Sequence, residues 1–276
     1  MKIRRLTGCA VSYFLLFVML FIALAPIYWM LVTSLKGESE IYKLVPTLWP
    51  KELTWEGYTN LVGNTGFMSW LKNSAIVALA VSAVSLFFSV LAAYGLARLR
   101  FRGRQAIGTL ILVAYLLPPT LLFIPLYILI TRLHLQSSMQ GLIFAYPTIT
   151  IPYATWVLTS YFTSISVDFE EAALIDGCSR LGALRRIVIP LSAPAIVSTF
   201  IFCFTLCWSE FLFALVILTG ANSTVPVGLA GLILGDVARW NQIMAGAIIT
   251  SIPVVILYTL ASRYIVSGLT LGGVKG

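Results

Sequence analysis

Six stretches of this chain run for roughly 25 residues with almost no charge. They extend from about Cys9 to Thr33, Asn73 to Ala97, Gln105 to Thr131, Met139 to Phe162, Ala195 to Gly220 and Gln242 to Ile265. A hydrocarbon core about 30 Å thick takes roughly 20 apolar residues in helical form, so each stretch predicts a membrane-crossing helix. At 1.5 Å per residue a 25-residue span is ~37 Å long, which predicts tilt or overhang. The second stretch has no charge, the fifth has only Glu210, and the sixth has only Arg263, near its end. Two connections are long, Ser34 to Lys72 and Thr163 to Pro194. The first holds Trp49, Trp55 and Trp70 with Pro46 and Pro50. Tryptophan favours the membrane–water interface, so part of that segment is expected against the headgroups.

Composition agrees. Of 276 residues 59% are hydrophobic and 10% charged, with a mean hydropathy of +0.97. A soluble domain carries about 45–50% apolar and about 25% charged residues. This excludes an ordinary soluble enzyme, a disordered tail and a nucleic-acid binder, and predicts an all-α polytopic membrane protein. The net charge of +8 then reads as a topology signal. With the amino terminus inside, 12 of the 18 basic residues fall on the cytoplasmic side, including Arg98, Arg100, Arg102 and Arg104 between the second and third spans. Lys and Arg are retained in cytoplasmic loops, so both termini are expected inside and the segment 34–72 outside. Cys178, in the long cytoplasmic connection, is expected to be a reduced thiol. Cys203 and Cys207 read as small packing residues.

The first span has features of a signal peptide: Lys2, Arg4 and Arg5 precede it, and Ala23-Leu24-Ala25 resembles a cleavage site. Its apolar run exceeds the about 7–15 residues of a signal core. Pro26 would follow the cut, where its ring and missing N–H are unfavourable. Retention as an anchor is expected. The organisation that follows is an anchor helix and external loop over 1–70, a five-helix core over 71–265, and a cytoplasmic tail over 266–276.

The connection at 163–194 is the most informative stretch. Asp168, Glu170 and Glu171 precede Ala172-Ala173-Leu174-Ile175, a short helix with acids in its first turn, where the helix dipole favours them. Asp176-Gly177 ends it, glycine suiting a left-handed cap. A second short helix is expected from about Arg180 to Val188, stopped by Pro190. Together they form a compact helix–turn–helix on the inner surface.

Glu171-Ala172-Ala173, then Gly177, then Ile187 and Ile189-Pro190, at these spacings, resemble the EAA loop of ATP-binding-cassette importer permeases. The one departure is Ile189, where leucine is usual. Phe101-Arg102-Gly103-Arg104 is similar to the family's inner loop, and Pro125-Leu126-Tyr127 and Gly141-Leu142-Ile143 to its third and fourth spans. Between them Leu133-His134-Leu135 and Ser137-Ser138 replace a more usual Leu-Gly-Leu and Asn-Thr. The end, Ser267 to Gly276, resembles the tail of MalG-type sugar permeases. The resemblance covers most of the chain and is weakest over 34–72.

The resemblance implies an inner-membrane permease subunit of a type I importer, working with a second permease, an ATP-binding subunit dimer and an extracytoplasmic solute-binding protein. It implies a carbohydrate cargo; a non-sugar solute such as a glycerol-phosphate ester or an amino acid stays open. The chain has no G-x-x-x-x-G-K-[ST] loop, so ATP and Mg are expected on the partner and no cofactor here. Glu170, Glu171, Ala172, Ala173, Asp176, Gly177, Ile187 and Pro190 are the expected ATPase-coupling residues, with Glu171 pairing with an arginine. For Gly272, Gly273, Val274, Lys275 and Gly276 two readings stand, contact with the ATPase dimer or a solvated end.

Trp208 and Glu210 are the pathway candidates. An acid at mid-span costs about 2.5–3.5 kcal/mol on insertion scales, so Glu210 is expected to face a polar cavity or a partner. It either lines the path or makes a structural hydrogen bond. A single histidine, His134, and no H-E-x-x-H give no metal site and no catalytic residue. An ion-driven secondary transporter would call for inverted repeats and several buried ionisable groups, which the sequence does not display.

Overall fold

In the computed structural model, residues 2–218, 222–234 and 237–272 are described, with side-chain surroundings for 12–218, 222–233 and 237–262. The chain is helical almost throughout. Helix α1 (Lys2–Ser34) is followed by α2 (Glu38–Ile41) and α3 (Glu56–Asn64) in the first long connection. Then come α4 (Phe67–Arg98), α5 (Arg104–Leu116), α6 (Pro119–Arg132), α7 (Met139–Ala145) and α8 (Pro147–Ser164). The second long connection holds α9 (Asp168–Ile175), α10 (Arg180–Ala183), a π-helical turn (Leu184–Val188) and α11 (Ile189–Leu191). After it come α12 (Ala193–Ser209), α13 (Leu212–Ile217), α14 (Val225–Ala230), a ribbon of β1 (Ile233–Leu234) and β2 (Val237–Ala238), and α15 (Trp240–Gly272).

Four described segments are long and apolar enough to cross a membrane unbroken: Ser12–Ser34, Phe67–Arg98, Met139–Ser164 and Trp240–Ser262. Two more qualify only as bent pairs, giving up to six. The third expected span is therefore not one straight helix: α5 and α6 meet at 96°. The cause is Pro118-Pro119. A residue before proline is driven out of the helical region. Leu117 accordingly has ψ 130° and Pro118 ψ 125°. The fifth expected span is also divided. Glu210 is extended, with φ −69° and ψ 131°, and α13 restarts beyond it.

Pro190 does not stop the second loop helix. The helix continues to Leu191 and bends by 80° into α12 across Ser192. A proline inside a helix leaves one carbonyl without its amide. Here the turn before it is widened, with the Ile189 amide bonded to the Leu184 carbonyl five residues back. At the other end α15 runs to Gly272, so the tail expected from residue 266 begins as helix.

The chain divides into two compact units, residues 1–68 with 228–252, and 69–227 with 253–276. In the first, α1 exposes nearly all its side chains from Ser12 to Leu31. Beyond it a polar clip organises the connection. Glu40, buried in α2, accepts the Thr47 hydroxyl at 2.5 Å and the Lys51 amide at 3.2 Å. Lys36 donates to the Thr47 carbonyl and lies 5.0 Å from the Trp29 ring centre. Tyr42 takes the Ala238 amide at 2.9 Å, tying α2 to the ribbon.

The second unit has two apolar clusters. One joins Val77, Ala78 and Val81 of α4 to Ile130, Leu142, Tyr146, Phe204, Trp208 and Ile217. The other joins Val90, Ala93, Tyr94 and Ala97 of α4 to Leu158 and Phe162 of α8, Leu184 and Val188 of the π turn, and Ala195. Between them α4 presents Ser82, Ser85 and Ser89, all buried. Lipid supplies no hydrophobic drive between helices, so close packing of small residues and hydrogen bonds hold them. Ser85 and Thr150 share one at 2.6 Å, and Ser89 donates to the Ile151 carbonyl at 3.3 Å. The turn before α7 is tight: a Cβ on Gly141 would stand 2.5 Å from the Leu135 carbonyl oxygen.

Candidate functional site

The loop at 163–194 forms a two-faced knob. Asp168, Glu170 and Glu171 occupy the first turn of α9. Side chains three apart on a helix share a face. Glu170 and Ala173 are buried, whereas Phe169, Glu171, Ala172, Leu174, Ile175 and Asp176 are exposed, Ile175 at 86%.

Helix α9 ends in a full Schellman arrangement, with the Gly177 amide on the Leu174 carbonyl at 3.1 Å and the Cys178 amide on Ala173 at 2.9 Å. Gly177 has φ +85°, a conformation that costs a side-chain-bearing residue dearly. Ser179 then caps α10 by accepting the Gly182 amide at 3.2 Å. Leu184 and Val188 sink into the second apolar cluster, Ile187 is half-buried and Pro190 is exposed.

Glu170 is not on the outward face where an ATPase contact was expected. Its carboxylate forms an ion pair with Arg98 at the end of α4, and both side chains are about nineteen-twentieths buried. Tyr94 donates to Glu170 Oε2 at 3.1 Å. Arg98 Nη2 donates to the Ile165 carbonyl at 2.9 Å. Removing one partner of such a pair strands a buried charge, so the four groups hold together as a unit.

Glu210 sits at the break between α12 and α13. Its Oε1 accepts the Phe213 amide at 2.9 Å, and its Oε2 accepts the Ala214 amide at 3.1 Å and the Tyr146 hydroxyl at 2.8 Å. The acid thus satisfies the first amides of α13, a negative charge at a helix start. Of the two readings of Glu210, the geometry is that of the structural hydrogen bond. Trp208, the other pathway candidate, is buried in the first cluster and stacks on Phe204 at 5.3 Å.

A groove of about 700 Å³ lies beside α5 and α8, which sequence reading did not find. Gln105, Thr109, Thr155, Trp156, Thr159 and Ser160 line it. The Thr155 hydroxyl is buried with no partner among the described residues, and Trp156 stacks with Tyr115 at 6.0 Å.

Residues 85–270 match the family model of the binding-protein-dependent transport system inner membrane component. The chain belongs to that family. It is 40% identical over 271 residues to the inner membrane ABC transporter permease protein YcjP of Escherichia coli, covering 97% of this chain and 95% of that protein. It is 38% identical over 263 residues to the trehalose/maltose transport system permease protein MalG of Thermococcus litoralis, covering 94% of each. Among solved structures, a bacterial ABC transporter involved in the import of the polysaccharide alginate superposes with a TM-score of 0.77, at 24% identity, over 94% of this chain and 96% of that one. The fold is that of a type I importer permease.

As a member of this family the chain is an inner-membrane transport component. Its loop at 163–194 lies inside the matched region. Gly273, Val274, Lys275 and Gly276 lie outside the described residues, and of Gly272 only the helical backbone is described. Sequence reading missed the role of Arg98, which it took for one of four topology-setting arginines. The signal available was its place, six residues ahead of Arg104 and next to the end of an uncharged span.

Proposed function

We propose that this chain is one permease of an ATP-driven carbohydrate importer that receives cargo from a solute-binding protein, alternates access with a second permease, and couples to an ATP-binding dimer through the exposed face of α9. The observation that carries this is the loop itself: a helix held on one side by the scaffold and offering Glu171, Ala172 and Ile175 outward. Several apolar side chains are exposed on this short helix, Phe169, Leu174 and Ile175, and exposed apolar surface of this kind suits a protein contact. Glu171 pairs with an arginine of the ATPase, Gly177 and Asp176 shape the turn beyond it, and Ile187 and Pro190 set the exit into α12. ATP and Mg sit on that partner. The tail, Gly272 to Gly276, reaches into the ATPase dimer, and both termini face the cytoplasm.

The carbohydrate class rests on the MalG relative. The groove beside α5 and α8 supports it, since an indole beside several hydroxyls suits a polyhydroxylated solute. The test is purification of tagged chain in mild detergent with mass spectrometry of what accompanies it. An ATP-binding subunit and a second permease are expected. Glu171→Ala should cut recovery of the ATP-binding subunit about tenfold, the ~1.4 kcal/mol scale of one charge-assisted contact, while keeping the second permease. A chain that purifies alone or only with copies of itself overturns the reading.

A further inference from the structure

We propose that Arg98 is a positioning residue of the coupling loop: with Tyr94 it clamps Glu170 and the Ile165 carbonyl to the end of α4, so that force arriving on the exposed face of α9 is delivered to α4. This rests on the reading of that face as the ATPase contact.

Helix α9 is short, and of its apolar side chains only Ala173 is buried. One buried methyl group cannot hold a helix in place against a load, because its share of the hydrophobic term is small. What ties α9 and the chain entering it to α4 is polar: the Arg98–Glu170 ion pair, the Tyr94 bond to the same carboxylate and the Arg98 bond to Ile165. These contacts fix both the helix and its approach.

The clamp is directional in what it moves. The π turn packs by Leu184 and Val188 on α4 and α8, so the far end of the loop has an apolar seat. The end of the loop that carries Glu171 is tied to α4 by the clamp. Glu170 and Glu171 are adjacent, and successive helical residues point about 100° apart. One acid is therefore turned to the partner and the next is turned to α4. A displacement of α9 by the ATPase passes through a single residue step into a helix of 32 residues that contributes to both apolar clusters. Arg98 serves this better than lysine would. A guanidinium donates in two directions at once, here to a carboxylate and a backbone carbonyl, whereas an ammonium offers one centre on a flexible stem.

The test uses the complete complex purified through a tag on this chain, with its co-purifying partners, in lipid nanodiscs. Hydrogen exchange is compared between the nucleotide-free state and the state formed with ATP and orthovanadate. In the wild type, amides of α4 near residues 90–98 should change their exchange rate at least threefold between the two states. Arg98→Gln and Glu170→Gln should each lose that response while keeping the ATP-binding subunit at wild-type amount. The exchanged pair, Arg98→Glu with Glu170→Arg, should recover at least half of it.

Single variants that respond like the wild type, or an exchanged pair no better than either single variant, overturn the proposal. If Arg98→Gln does not accumulate in the membrane, Arg98→Lys takes its place, and an undiminished response there has the same consequence. The two levels of failure separate: a wild-type chain that purifies without an ATPase defeats the functional reading and this proposal with it. An intact complex whose α4 is indifferent to Arg98 defeats only the clamp.

Discussion

Of the four described residues in the left-handed region, Gly177, His134 and Ser137 stand there for different reasons and predict opposite effects of substitution. Gly177 at φ +85° closes the Schellman end of α9. A Cβ there meets open space, so the cost of Gly177→Ala is conformational alone, roughly 1–2 kcal/mol. It should appear as faster hydrogen exchange across 168–180 without loss of membrane insertion; unchanged exchange would refute the cap. His134 at φ +55° and Ser137 at φ +58° carry side chains in the same region, which glycine occupies without strain. His134→Gly should therefore stabilise the protein, raising its thermal midpoint in detergent by about 2 °C or more. At this scale the sequence was informative wherever a residue type is demanded by backbone geometry. It was silent where a choice depends on a distant partner. Glu170 and Glu171 are equivalent acids in one helical turn, and distant groups, Arg98 72 residues away and Tyr94, meet the one that faces inward.

At the scale of elements, apolarity located each membrane segment but carried no information about its direction. The runs of the third and fifth spans are as apolar as the others, yet Pro118-Pro119 and Glu210 divide them. Bends are set by which backbone amides go unpaired, a property of single residues that an average over a window erases. The first long connection shows the same limit: its tryptophans predicted the interface, but the clip around Glu40 joins residues that no short motif links. That clip has a pH signature. Hydrogen bonds from Thr47 first, then the Lys51 amide, with the charges of Lys36 and Lys43, hold the Glu40 carboxyl below its usual value. A depressed carboxyl stabilises the fold fully above its unfolded value of about 4.3 and loses that contribution as pH falls through the folded value. Proteolytic resistance of 36–54 should hold steady from pH 7 to about 5 and then decline, and Glu40→Gln should flatten the decline. An equal acid response in both proteins would show that Glu40 is not the titrating group.

For the whole molecule, the remaining question is which way it sits in the membrane, and the loop reading depends on the answer. Charge asymmetry predicts that 163–194 lies inside, since Lys and Arg resist translocation and 12 of the 18 would then be on the side of this loop. The chain carries its own reporter. Cys178, partly exposed beside Gly177, is a free thiol, while Cys203 and Cys207 are buried among apolar side chains. A buried thiol is shielded from a bulky reagent, whereas an accessible one can be reached. With Cys9→Ser to remove the remaining thiol, a membrane-impermeant maleimide should leave intact spheroplasts unlabelled and should label inverted vesicles at Cys178. Lys43→Cys, placed in the connection expected outside, should give the reverse pattern in a Cys178→Ser background. Labelling of Cys178 in intact spheroplasts would put α9 on the side opposite the nucleotide. The exposed face around Glu171 would then have no ATPase to meet, however well its geometry suits one.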